Sequence, residues 1–154
     1  MTLTYEMEQF LLPWFITNIL SLVVVYVCNR WRQAGRYVFG AIFLMAAIVN
    51  AWLAIVRPAV YLDYGKFAFL TVYKSFIYGF FAQHTTFFVL LIALGQLAIA
   101  AGLFLNGQLL RPALAGAAIF LLAIVPLGVG SAFPATLFMV AGLYLIGRNR
   151  KING

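Results

Sequence analysis

The length of its uncharged stretches is the feature that most constrains what this chain can fold into. Residues 9–28, 37–56 and 86–105 each run for 20 positions without an Asp, Glu, Lys or Arg. A helix needs roughly 20 mostly apolar residues to cross the hydrocarbon core of a bilayer. Each of these stretches is therefore predicted to be one membrane-spanning helix.

A fourth uncharged stretch covers residues 113–147, with two prolines and two glycines between positions 126 and 134. It is too long for one crossing and sufficient for two short ones, over 113–129 and 132–147. Charge alone leaves open whether this pair crosses fully or forms a re-entrant hairpin. The prediction is an all-α membrane bundle in a single domain over 1–154, with a four-helix up-down core preceded by one N-terminal transmembrane helix.

Composition and charge support this class and suggest an orientation. Only 8% of residues are charged, too few to cover a water-soluble surface. The net charge of +7 does not indicate a nucleic-acid partner, because the cations cluster in connections beside apolar spans. These clusters are Arg30, Arg32 and Arg36 in one predicted loop, Arg111 in another, and Arg148, Arg150 and Lys151 at the C-terminus.

These basic clusters lie in every second connection between the predicted spans, so all three fit on one face of the membrane. The positive-inside bias predicts that this face is cytoplasmic. The N-terminus, with Glu6 and Glu8, is then outside and the C-terminus inside, in a membrane that we expect to be the bacterial inner membrane.

The connection over 58–85 is unusually aromatic for a loop. Phe69, Tyr73, Phe76 and Phe80 fall at helical spacing, with lysines among the polar positions. A helix lying in the membrane interface over about 66–83 accounts for this pattern.

Four positions within the spans are predicted to mediate helix packing. Asn50 lies among alanines in the second span, and a mid-span amide needs a hydrogen-bond partner, so it is expected to face protein. Gln96 is a second amide near mid-membrane. Ala98 and Gly102, four residues apart, form a small-residue site for close helix approach. The alternative for the two amides is that they line a polar pocket.

The strongest candidate for a binding site is a set of residues at the outer interface: Arg57, Tyr61, Asp63, Tyr73, Phe76 and His84. An aromatic wall with a fixed guanidinium suits the polar head of a lipid or quinone. In this hypothesis Asp63 holds Arg57, and His84 exchanges a proton near neutral pH. The simpler alternative is an aromatic belt with a snorkelling arginine and a solvated histidine.

Several chemistries are disfavoured by residues that the spans lack. No ionisable residue lies in mid-span, which argues against ion-coupled transport by the chain alone. The single Cys28 rules out an internal disulfide, and the single histidine rules out bis-histidine haem within the chain. No metal-ligand set is present in the sequence. The cofactor stays open between quinone, lipid and none, and independent enzyme activity is not expected.

From residue 36 to 147 the order of features resembles the DoxX-like family of small four-helix membrane proteins. The resemblance rests on RYVFG at 36–40, LGQLA at 94–98 and GLFLNG at 102–107, with Arg111 after the turn. It implies a quinone-side or accessory role, because the family name derives from a subunit of a thiosulfate:quinone oxidoreductase. Members often have Glu at the position of Gln96 and Lys near that of Asn50, and both are neutral here.

Three functions follow as hypotheses. The first is an accessory or structural membrane subunit that packs against larger membrane partners or against a second copy. The second is a quinone- or lipid-binding subunit of a redox complex. The third is a small permeation or lipid-handling protein. Membrane lipids are expected partners in each case.

Overall fold

The computed structural model describes residues 2–105 and 107–148, with side chains from residue 11 onward. Glu6, Glu8, Asn106, Arg150 and Lys151 lie outside the described side chains. The described chain is all-α, as predicted, and the helices are α1 (Thr2–Arg30), α2 (Arg32–Val56), α3 (Tyr64–Phe67), α4 (Thr71–Phe76), α5 (Thr85–Phe104), α6 (Leu110–Ile124) and α7 (Ala135–Gly147).

Five of these helices form the bundle. α2 packs along α5, α5 along α6 and α6 along α7, while α1 packs against both α2 and α7. This is the predicted four-helix core with an additional N-terminal helix. Four apolar segments are long enough to cross a membrane: Leu11–Arg30, Arg32–Val56, Thr85–Phe104 and Leu110–Ser131. The protein is accordingly an integral membrane protein.

The fifth predicted span is the shortest. α7 has 13 residues, which rise about 20 Å against a hydrocarbon thickness of about 30 Å. Four of the five predicted spans correspond to helices long enough to cross a membrane. The fifth, predicted to be short over 132–147, is shorter still, because Pro134 and the preceding turn delay the start of α7.

The predicted loop between the first two spans is not a loop. α1 and α2 are separated only by Trp31, and Arg32 and Arg36 belong to α2. Arg36 is buried, and a Cβ on Gly35 would lie 2.6 Å from Cys28 Sγ. The helix starts early because Arg, Gln and Ala are good helix formers and Gly35 permits close approach to α1.

The two ends of the bundle differ in charge. At the basic end α1 meets α2, α5 meets α6, and α7 ends; the arginines there are Arg30, Arg32, Arg36, Arg111 and Arg148. At the opposite end lie residues 58–84, here named the aromatic cap, and the turn between α6 and α7.

The turn between α6 and α7 reaches the aromatic cap. The backbone N–H of Phe69 donates to the carbonyl of Pro126 at 2.8 Å, and Trp14 Nε1 of α1 donates to the carbonyl of Phe133 at 2.6 Å. Gly128 has φ +64°, and a Cβ there would lie 2.5 Å from the carbonyl oxygen of Phe67. A glycine is needed at this contact, since any side chain would push the cap away.

The helix predicted over about 66–83 is present from Thr71 onward, where α4 continues into a π-helical turn, and is interrupted before that residue. The cap consists of a 3-10 helix (Pro58–Asp63), α3, an extended break at Ala68 and Leu70, α4 and a π-helical turn (Ile77–Phe81). The break arises because the Phe69 N–H bonds the α6–α7 turn instead of its own helix, and the Phe69 ring packs edge-on against Phe133. Tertiary contacts here override the local helical spacing.

Candidate functional site

A chain of side-chain hydrogen bonds links the aromatic cap to the core of the bundle. The Tyr61 hydroxyl donates to Asn50 Oδ1 at 2.8 Å, and Asn50 Nδ2 donates to Gln96 Oε1 at 2.8 Å. The predicted need of Asn50 for a partner is therefore met by Gln96 across the α2–α5 contact. Gln96 is only 3% exposed, so the chain ends in an apolar interior where each bond is stronger than in water.

These three residues line a cavity of about 440 Å³. It lies between two packed clusters, with Phe43 and Leu121 on one side and Ile77 and Phe81 on the other. Helices α1, α2, α5, α6 and α7 contribute to its walls, and the aromatic cap covers it. Its volume is in the range of small-molecule sites, which span about 300–1,000 Å³.

The cavity wall carries polar groups but no formal charge. None of its lining residues is Asp, Glu, Lys, Arg or His. Several hydroxyls donate within the chain: Thr17 to the carbonyl of Pro13, Ser131 to that of Gly128, and Tyr73 to that of Ala123. The wall is thus uncharged, and few of its hydrogen-bonding groups are available to a ligand.

Two residues of this wall offer hydrogen-bonding groups to the cavity. Thr136 is 3% exposed, and its Oγ1 is a buried atom without a hydrogen-bond partner among the described residues. Gln96 lines the cavity and uses Oε1 to accept from Asn50, which leaves its Nε2 amide as a further donor. An unsatisfied buried polar group costs about 1–3 kcal/mol, so the Thr136 hydroxyl in particular is suited to bind a molecule that enters the cavity.

The structure places three of the six residues of the predicted head-group site in the cavity wall. Tyr61, Tyr73 and Phe76 line the cavity, whereas Arg57, Asp63 and His84 do not. Asp63 pairs with Lys66 at 2.8 Å, not with Arg57, because Asp63 occupies the N-cap position of α3 and the first turn of that helix brings the residue three positions later within reach. The predicted Arg57–Asp63 contact is wrong.

Arg57 and His84 nevertheless lie at the same end of the bundle. Thr86 Oγ1 donates to the carbonyl of Ala54 at 3.0 Å, which sets the register of α2 against α5. Arg57 follows Ala54 by three residues and His84 precedes Thr86 by two, so both flank this contact. Each is exposed, and His84 Nδ1 lies 3.3 Å from the carbonyl oxygen of Phe80.

Burial under the cap affects two stacked tyrosines. The rings of Tyr61 and Tyr64 lie 6.1 Å apart at 18°. Burial, with a smaller effect from Tyr64, raises the pKa of Tyr61 to about 12, and burial also raises the pKa of Tyr64. Tyr61 therefore keeps its proton at any physiological pH and remains a donor to Asn50.

The predicted small-residue contact holds at one of its two positions. A Cβ on Gly102 would lie 2.6 Å from the Cβ of Ala113, so the glycine allows α5 and α6 to approach. Ala98 lies one turn earlier on the same side of α5 and is exposed. Its predicted role in packing stays a prediction.

Sequence reasoning did not identify Thr136, although the polar pocket considered as the alternative for Asn50 and Gln96 corresponds to this cavity. Thr136 is a lone hydroxyl in an apolar helix, and nothing in its spacing separates it from a lipid-facing residue. Among the described residues no three His, Cys, Asp or Glu side chains are grouped to hold a metal ion.

No family model, curated protein or solved structure matches this chain. The resemblance to the DoxX-like family therefore stays a prediction, and the chain is described by its fold: an all-α integral membrane bundle with an uncharged cavity beneath an aromatic cap.

Proposed function

We propose that this protein binds a lipophilic small molecule within the membrane, in the cavity under the aromatic cap. One observation carries the proposal, namely an uncharged, mostly apolar cavity of about 440 Å³ with the polar chain from Tyr61 to Gln96 in its wall. Quinones and neutral lipids both belong to this class. This function corresponds to the quinone- or lipid-binding hypothesis, with the site moved from the interface into the bundle.

Access from the bilayer is consistent with the lining residues. Phe76 of the cap and Ile92 of α5 both line the cavity and are 45% and 39% exposed. A molecule dissolved in the lipid can therefore enter at this edge without passing through water. A tail longer than the cavity would leave by the same edge.

Filling the cavity tests the proposal. Ala46 lines it, whereas Ala41, on the same helix, is exposed and lies outside it. Native mass spectrometry is to be run on protein purified from its own membrane in mild detergent. Wild type and Ala41→Phe should retain a bound lipophile, and Ala46→Phe should lose it. Retention by Ala46→Phe, or absence from wild type, would contradict the proposal.

The orientation that accompanies this function has the basic end in the cytoplasm. The five arginines at that end support it through the positive-inside bias. The cap and the cavity beneath it then lie toward the outer face of the membrane.

A second candidate is a subunit that packs against partner helices or a second copy. It is favoured by an open face of α5, where a Cβ on Gly95 would meet nothing within 4 Å and Ala98 is exposed. Small residues at such a face let helices approach closely. In a Cys28→Ala background, Ala98→Cys should form disulfide-linked dimers in membranes; monomers alone would argue against self-packing at this face.

A further inference from the structure

Hydrogen-bonding capacity in the cavity wall specifies the ligand more closely. Tyr61 donates to Asn50 and Asn50 donates to Gln96, so the two bonds run in one direction. This order leaves the Nε2 amide of Gln96 as a donor at the buried end. The ligand group opposite it must therefore be an acceptor.

Charge restricts the ligand further. The lining residues include no ionisable group other than tyrosines, and an isolated charge in an apolar interior is very costly. The cations of the cap do not compensate, because Arg57, Lys66, Lys74 and His84 are exposed and do not line the cavity. A phosphate or carboxylate head would remain outside.

We propose that the cavity takes an uncharged lipophile whose carbonyl oxygen accepts a hydrogen bond from Gln96 Nε2. The Thr136 hydroxyl, buried and without a partner in the same wall, is available to a second polar group of the ligand. Tyr61 and Asn50 are positioning residues, since they hold the Gln96 amide in this orientation. This inference rests on the proposed function and names the chemistry of its ligand.

Paired probes test the carbonyl directly. A 4-alkylbenzophenone and the matching 4-alkyldiphenylmethane differ in one carbonyl group, and native mass spectrometry gives their binding to the delipidated protein. The ketone should bind about tenfold more tightly, as expected for one net hydrogen bond. A fatty acid methyl ester of similar length distinguishes the ester carbonyl of an acyl lipid from an aryl ketone. Preferential binding of either carbonyl probe over the diphenylmethane supports the inference.

Variants assign the effect to Gln96. Gln96→Met should reduce the preference for the ketone to about one while the diphenylmethane still binds. Gln83→Leu, on the exposed surface of the cap, should leave the preference unchanged. If Gln96→Met fails to fold, the double variant Asn50→Leu with Gln96→Met removes both amides and should show the same loss of preference.

Two results would overturn the inference, and they differ from failure of the proposed function. Binding of the ketone and the methyl ester no tighter than that of the diphenylmethane to wild type would refute the carbonyl contact, and so would a preference that survives in Gln96→Met. If either result is found and Ala46→Phe still abolishes binding of both probes, the proposed function stands, because the probes then bind in the cavity without the carbonyl contact. Failure of every probe to bind wild type would overturn the inference and the proposed function together.

Discussion

Asn50 of α2 and Gln96 of α5 face each other across the most extensive contact among the described helices, with Asn50 Nδ2 and Gln96 Oε1 2.8 Å apart. Each amide therefore has a hydrogen-bond partner inside the bundle, and the hydroxyl of Tyr61 in the cap donates to Asn50 as well. This contact joins fold and candidate site, because the residues that align the two helices also form the polar part of the cavity wall.

Replacing Asn50 by leucine should destabilise the protein. Asn50→Leu leaves Gln96 Oε1 and the Tyr61 hydroxyl without their partner, at a cost of about 0.6–2 kcal/mol for an interhelical hydrogen bond. Thermal unfolding in detergent measures it. The double variant Asn50→Leu with Gln96→Leu should lose less than the sum of the single variants, since two apolar side chains leave no unpaired amide. Strict additivity would indicate that the bond contributes nothing.

Two glycines on α5 should respond in opposite directions to alanine. Gly102→Ala places its Cβ against Ala113 and should destabilise the α5–α6 contact by about 1–3 kcal/mol. Gly95→Ala meets nothing within 4 Å and should leave stability unchanged or raise it by up to about 1 kcal/mol, through helix propensity. Thermal unfolding of both variants checks this, and an equal response at the two positions would contradict the described packing.

The exposed cations of the cap should not determine ligand binding. Arg57 and His84 lie outside the cavity, so Arg57→Gln combined with His84→Ala should retain the bound lipophile at the wild-type level. This is the opposite of what the head-group hypothesis from the sequence predicts. Mass spectrometry of the purified variant decides between them, and loss of the ligand from a folded double variant would favour the head-group site.

Stability should fall at high pH through Tyr61. Its pKa is raised to about 12 in the folded protein, against about 10 in an unfolded chain. Between these values the unfolded chain loses the proton while the folded protein keeps it, so stability is full below about pH 10 and declines as pH rises toward 12. Tyr61→Phe should reduce the decline, measured by thermal unfolding against pH. An unchanged decline in that variant would assign the effect to other tyrosines.

Cysteine labelling should establish the orientation in the membrane. In a Cys28→Ala background, Ser75→Cys in the cap should react with an impermeant reagent from outside, and Gln108→Cys in the α5–α6 turn only after the membrane is opened. Both positions are exposed, so access depends on the side of the membrane. The reverse labelling pattern would place the basic end outside.

The sequence by itself determined the class of this protein and most of its helices, because uncharged stretches of about 20 residues have few stable structures other than helices in a bilayer. It also identified Asn50 as a residue in need of a partner, since a mid-span amide is costly when unpaired. These conclusions depend on local composition, which is visible along the chain.

Only the tertiary structure decided where the cap breaks and which polar groups meet. The Phe69 N–H leaves the local helix for the carbonyl of Pro126, 57 positions away, and such a competition is invisible to helical spacing. The cavity arises in the same way: Tyr61, Gln96 and Thr136 come from distant segments, and their convergence depends on how helices pack. Arg57 and His84 are prominent in the sequence because the chain has few ionisable residues, but both are exposed and can be hydrated. The buried Thr136 hydroxyl, in contrast, has no hydrogen-bond partner among the described residues.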